Sequence, residues 1–107
     1  MFYTYVLLSQ KDHHWYTGYS NDLKRRFKEH NQGLVYATTK RRPFLLLYYE
    51  ACLDEDDAKA RETYLKSGPG KRYLKNRLKF YTNKCLTGTP EQVKLLYNNS
   101  SAVQFGQ

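Results

Sequence analysis

Two short aromatic and β-branched runs near the start of the chain constrain its fold more than any other feature. Residues 2 to 9 are rich in tyrosine, valine and leucine, residues 14 to 20 repeat that character, and polar Gln10 to His13 lie between them. Such side chains suit a pleated surface, and a polar link of this length joins strands as a hairpin, so the runs should pair antiparallel. Alternation along the first strand then sets Tyr3 and Tyr5 on one face. Ser20, Asn21 and Asp22 offer caps for a helix ending near Gly33. On that helix Leu23 and Phe27 are four apart, and Arg26 and His30 share another face.

The pattern continues in the same alternating way. Residues 34 to 42, with Thr38, Thr39, Lys40, Arg41 and Arg42, read as a polar, basic loop closed by Pro43. Phe44 to Cys52 is almost continuously apolar and reads as a buried third strand. Acidic Asp54 to Asp57 suit the first turn of a helix, whose amino end carries partial positive charge, and that helix should run to Lys66 or Ser67. Gly68-Pro69-Gly70 reads as a turn, and Leu74, Leu78 and Tyr81 give residues 71 to 81 a helical spacing. The expected class is α/β (α+β): a three-stranded antiparallel sheet flanked by helices, in the order β-β-α-β-α-α. After Tyr81 the composition turns polar, and Thr89-Pro90-Glu91-Gln92 is similar to a capped helix start, so a short helix to Tyr97 and a loose tail are expected. Residues 1–81 would form the domain and 82–107 an extension.

Charge narrows the function. The 107 residues carry 18 basic and 10 acidic side chains, a net charge of +8, and four of the acids are clustered at Asp54 to Asp57. An excess of this size favours a polyanion, because each phosphate neutralised releases condensed counterions. No segment approaches the ~20 apolar residues of a membrane span, and no basic region precedes a long apolar run, so a soluble, cytoplasmic protein with no membrane partner is expected. Cys52 and Cys85 lie in no metal-ligand spacing and read as two small apolar fillers or a surface thiol. Nothing in the sequence fixes the oligomeric state.

Glu62 stands out on its helix. It lies four residues after Ala58 and three before Leu65, so its carboxylate should project toward the apolar face and need a partner. A buried ion pair with a residue such as Arg26 is one solution, and a hydrated Mg²⁺, which takes only one or two protein carboxylates, is another. Arg26 itself has the planar donor fork that suits phosphate oxygens, with Arg25 one position away as the competing choice. His30 can titrate near neutrality and so accept or relay a proton, or hold a phosphate.

The order Tyr3-Thr4-Tyr5, then Tyr16-Thr17-Gly18, then Asp22-Leu23-Lys24-Arg25-Arg26-Phe27-Lys28-Glu29-His30 resembles the GIY-YIG nuclease superfamily, and in particular its small stand-alone members. The resemblance extends to about Phe80, with Tyr3 standing where the first motif has its glycine, and Thr4 and Thr17 where it has isoleucines. It implies a metal-dependent nuclease, with DNA the more expected substrate and repair or recombination its setting; the alternative is a nucleic-acid-binding module that has lost activity. By the same resemblance the site residues are Tyr5, Tyr16, Arg26, His30 and Glu62. Tyr5 would serve as the base or water-positioner with Tyr16 supporting it, Arg26 would stabilise the transition state, and Glu62 would hold one Mg²⁺ or Mn²⁺ ion. Lys24, Arg25, Lys28, Lys40, Arg41, Arg42, Lys71, Arg72 and Lys75 could flank the nucleic-acid backbone, and Asn76 is a further polar candidate.

Overall fold

The computed structural model describes residues 1–87, with side chains through Lys84. Strand β1 (Phe2–Ser9) and strand β2 (Trp15–Ser20) form the hairpin, followed by helix α1 (Leu23–Gln32), a 3-10 turn (Thr39–Arg41), strand β3 (Phe44–Cys52) and helices α2 (Glu55–Lys66), α3 (Gly68–Arg77) and α4 (Lys79–Thr87). The sheet order is β2-β1-β3, and both pairings are antiparallel. This is the expected three-stranded sheet flanked by helices. Because β1 is central, every residue from Tyr3 to Ser9 is buried. Tyr5 lies opposite Gly18 on one side and Tyr49 on the other.

Strand alternation divides the core into two layers. Tyr3, Tyr5 and Leu7 pack with Leu23 and Phe27 of α1 and with Phe44 and Leu46. Val6 and Leu8 face the other way, toward Leu65 of α2, Leu74 of α3, and Leu45 and Leu47. Thr4 on that second face donates its hydroxyl to the Ala58 carbonyl at 2.8 Å, which pins α2 to the sheet. The caps expected from sequence are in place. The Asp22 side chain accepts from the Arg25 N–H, and Gly33, at φ 81°, ends α1 in a left-handed conformation that a Cβ would disfavour.

Three local expectations are corrected. Gly68-Pro69-Gly70 is not a free turn but the first turn of α3, capped by Ser67. Proline is tolerated there because its missing N–H would have no helical partner, and Gly70 is needed because a Cβ would overlap the Tyr64 carbonyl at the end of α2. The single helix foreseen over 71–81 is broken at Leu78, where the backbone leaves helical geometry between α3 and α4. The connector after Gly33 contains a 3-10 turn. Helix α4 crosses position 81, and the helix expected near 89–97 lies outside the described residues. Among the described residues no helix is long and apolar enough to cross a membrane.

Candidate active site

Four of the five expected site residues meet on the α1 face of the sheet. Tyr5, 1% exposed, points from the central strand toward the last turn of α1, where His30 is wholly buried. The Tyr5 hydroxyl and His30 Nε2 are 2.8 Å apart, and His30 Nδ1 is 2.7 Å from Thr38 Oγ1. With the Val35 carbonyl 3.5 Å from the Thr38 hydroxyl, the tautomer that gives every proton an acceptor has His30 Nδ1–H donating to Thr38 Oγ1. Nε2 is then the unprotonated nitrogen, and Tyr5 O–H donates to it. The Tyr16 ring completes the cluster, 5.1 Å from His30 and 6.5 Å from Tyr5 between centroids, and is only half-buried.

Burial sets the electrostatics. It pushes the His30 pKa down to about 4, with the neighbouring Arg26 charge acting in the same direction, so the imidazole is neutral at pH 7. Burial also raises the Tyr5 pKa well above its ordinary value, and Tyr16 adds to this, while Arg26 works in the opposite direction. The phenol is therefore the resting form. Burial acts against the Arg26 charge, but Tyr5 and Glu29 beside it more than offset that. Glu29, one turn along α1, holds the guanidinium at 3.3 Å and leaves Arg26 partly exposed.

Gly18 has a steric reason to be glycine. A Cβ there would lie 2.5 Å from the Tyr5 hydroxyl, 2.6 Å from Tyr5 Cζ and 3.1 Å from a Tyr16 ring carbon. The Tyr5 hydroxyl thus occupies space that any side chain at 18 would fill. Tyr3, at the place of the motif glycine, is absorbed without disturbing this arrangement: it is buried and its ring packs 6.3 Å from Tyr49.

Glu62 is placed differently from expectation. It is not buried on the apolar face of α2: its side chain is 24% exposed and its partner is Lys66, at 3.2 Å, rather than Arg26. Helix α2 packs on the opposite face of the sheet from Tyr5. Even so, after burial, Tyr16 and Arg26, the Glu62 carboxylate is among the influences on the Tyr5 hydroxyl. Among the described residues there is no group of three or more His, Cys, Asp or Glu side chains that could hold a metal. The donor set therefore fits only an ion bound by a single carboxylate and otherwise by water, as Mg²⁺ commonly is, and Glu62 is exposed enough to supply it.

The basic residues separate into two kinds. Lys24, Arg25 and Lys28 on α1, Lys40 and Arg42 on the connector, and Lys71, Arg72 and Lys75 on α3 are all exposed. Arg41 is the exception, because its guanidinium donates to Asp12 at 2.6 Å and to the His14 carbonyl at 3.1 Å and lies over the Phe44 ring. It ties the hairpin loop to the connector instead of facing a ligand. Asn76 is exposed on α3. Sequence reasoning missed Thr38, which pairs with His30 Nδ1 from eight residues away and so leaves no periodic signal. It also missed Glu29 and Lys66, which do carry one, the i,i+3 and i,i+4 spacings of helical ion pairs.

The GIY-YIG catalytic domain model matches residues 1–76. The UPF0213 protein in the ldhD 5′ region of Pediococcus acidilactici is 44% identical over 81 residues, covering 70% of this chain and 82% of that protein. The UPF0213 protein YazA of Bacillus subtilis is 40% identical over 63 residues, covering 58% of this chain and 64% of that protein. The solution NMR structure of a UPF0213 protein from Bacillus halodurans is 33% identical, spans 83% of this chain and 100% of its own, and superposes with a TM-score of 0.48.

Proposed function

The chain belongs to the GIY-YIG nuclease family, and from that premise we propose that it hydrolyses phosphodiester bonds of DNA with one Mg²⁺ or Mn²⁺ ion, acting in the cytoplasm in repair or recombination. Residues 1–81 carry the site and 82–107 form an extension. The observation that carries this reading is the hydrogen-bond line from Thr38 through neutral His30 to the Tyr5 hydroxyl. A phenol whose pKa is raised by burial is a poor resting base, but a phenol that donates to a free imidazole nitrogen can take a proton as it gives one away. In this scheme the attacking water loses its proton to the Tyr5 oxygen while the Tyr5 proton passes to His30 Nε2. Half-exposed Tyr16 orients that water by a hydrogen bond, and partly exposed Arg26 donates to the non-bridging oxygens of the five-coordinate phosphorane. When bound at Glu62, the ion would supply positive charge to the departing oxygen.

The test is incubation of purified protein with labelled duplex, single-stranded and branched DNA and RNA, with Mg²⁺, Mn²⁺ or chelator. Metal-dependent cleavage that disappears in Tyr5→Phe supports the proposal, and failure to cleave any of these substrates refutes it. One observation favours the second reading, a binding module: the Lys66 ammonium already neutralises Glu62, the carboxylate needed for the metal. Wild-type protein that binds nucleic acid without ever cleaving it would select that reading.

A further inference from the structure

On the far side of β2 from the Tyr5–His30 pair lies a cavity of about 550 Å³, enclosed by the hairpin, β2, the end of α2 and α3. Its volume is that of a small-molecule pocket, large enough for a nucleotide and far too small for a duplex. Leu65 and Leu74 contribute apolar lining, Trp15 supplies an indole that packs against the same core layer, and Lys66, Lys71 and Lys75 bring three ammonium groups. Lys66 is held by Glu62, whereas Lys71 and Lys75, one turn apart on α3, form no ion pair among the described residues. An aromatic face beside uncompensated lysines is the chemistry that stacks a base and neutralises its phosphates. Tyr16 belongs to the rim of this cavity while its ring turns to the other face of β2 against His30, so the cavity and the proposed reaction centre lie on the two sides of one edge strand.

We propose that this cavity receives an unpaired nucleotide of the strand being cleaved, stacked on Trp15 with its phosphates between Lys71 and Lys75. The substrate then carries a single-stranded segment next to the scissile bond. A base inside a duplex is stacked on its neighbours and presents no free face to an indole, so an intact duplex leaves the cavity unfilled. This proposal rests on the nuclease reading for its place beside the reaction centre, but the cavity's affinity for a single strand can be measured without any cleavage.

Trp15 is the only tryptophan in the chain, so its fluorescence reports on this cavity directly. The experiment titrates the full chain, in chelator, with oligothymidylate and oligouridylate of about 12 nucleotides, with blunt duplex DNA, and with inorganic phosphate as a control. Saturable quenching by the single strands and none by duplex or phosphate is the expected result, and the two single-strand arms report whether the sugar matters. Lys71→Ala with Lys75→Ala, both exposed and outside the core, should weaken binding and flatten the salt dependence by about 0.7 per lysine. Trp15→Leu, followed by a labelled oligonucleotide, should weaken binding about 5- to 150-fold. Equal quenching by duplex and single strand, or wild-type affinity and slope in the double lysine variant, overturns the proposal. Quenching without cleavage under any metal condition leaves the cavity assignment standing and sinks the nuclease reading. Cleavage without quenching does the reverse.

Discussion

Replacing Gly18 by alanine tests the packing that brings the two tyrosines to His30. The new methyl would meet the Tyr5 hydroxyl at 2.5 Å and Cζ at 2.6 Å, against an ordinary contact of ~3.5–4.0 Å, so something must shift by about 1 Å. Tyr5 is confined, because His30 Nε2 already sits 2.8 Å from its oxygen. Displacement therefore either compresses that bond or breaks it. Forcing a methyl into a packed site costs about 1–3 kcal/mol, and leaving a buried nitrogen without its donor costs a further ~1–3 kcal/mol. The reduced freedom of the unfolded chain returns only about 0.4–1 kcal/mol, so destabilisation wins by roughly 2–4 kcal/mol. For a domain of this size that is a fall in Tm on the order of 10–25 °C. Gly68→Ala is the control, since a Cβ there meets nothing closer than Arg72 Nη1 at 3.6 Å. Thermal and urea unfolding of both variants, with Gly18→Ala repeated in a Tyr5→Phe background, provides the readout. The alanine should cost less in that background, where the hydrogen bond is already gone. If alanine at 18 and at 68 change stability by the same amount within about 0.5 kcal/mol, the steric argument is wrong.

Three further outcomes are expected. His30 titrates near 4 in the folded protein and near 6.5 unfolded, so its contribution to stability is complete above pH 6.5 and is lost as pH falls toward 4, by at most about 3 kcal/mol; urea midpoints of wild type and His30→Gln at pH 7 and 5 should diverge accordingly, and cleavage should show no loss of an essential base between pH 7 and 5.5. Glu62→Gln should abolish metal-dependent cleavage with nucleic-acid affinity nearly unchanged, while Lys66→Ala, which frees the carboxylate, should lower the Mg²⁺ concentration needed for half-maximal rate. Arg41→Ala should lower stability by about 1 kcal/mol and leave the salt dependence of binding alone, whereas Lys40→Ala with Arg42→Ala should flatten it by about 0.9 per lost phosphate contact on duplex DNA.

The elements most legible in the sequence were those whose burial follows a simple period. Strands β1 and β3 lie over the runs marked by their apolar residues, and α1 runs between Asp22, whose carboxylate caps it, and Gly33, whose lack of a Cβ admits the left-handed end. Gly68-Pro69-Gly70 misled because both residue types punctuate structure in general. Only the approach of α3 to the Tyr64 carbonyl makes glycine fit inside a helical turn. Helical spacing put Arg26 and His30 on one face of α1, but only the resemblance to the GIY-YIG motif joined Tyr5 and Tyr16 to them, since strand alternation does not say which helix a strand face meets. Arg41 could not be told from Lys40 and Arg42, since its commitment to Asp12 depends on the hairpin loop folding back over 29 residues of chain.

Glu62 marks where linear reading stops. At about 100° per residue, it lies roughly 40° from Ala58 and 60° from Leu65 around α2, on the flank of the buried stripe rather than at its centre. Spacing gives that angle but not what the flank faces. The sheet order decides it: with β1 in the middle, β2 is an edge strand of six residues, and the flank of α2 along it also carries Glu55, which accepts from Tyr19, and Lys59, which lies over the Tyr19 ring. Tyr19 and Tyr16 point to opposite faces of β2. A carboxylate at this edge is thus held by a helix on one face while its charge bears on Tyr5 on the other. The place of Glu62 on that flank, across the sheet from Tyr5, follows from the order β2-β1-β3, which no motif spacing in the chain encodes.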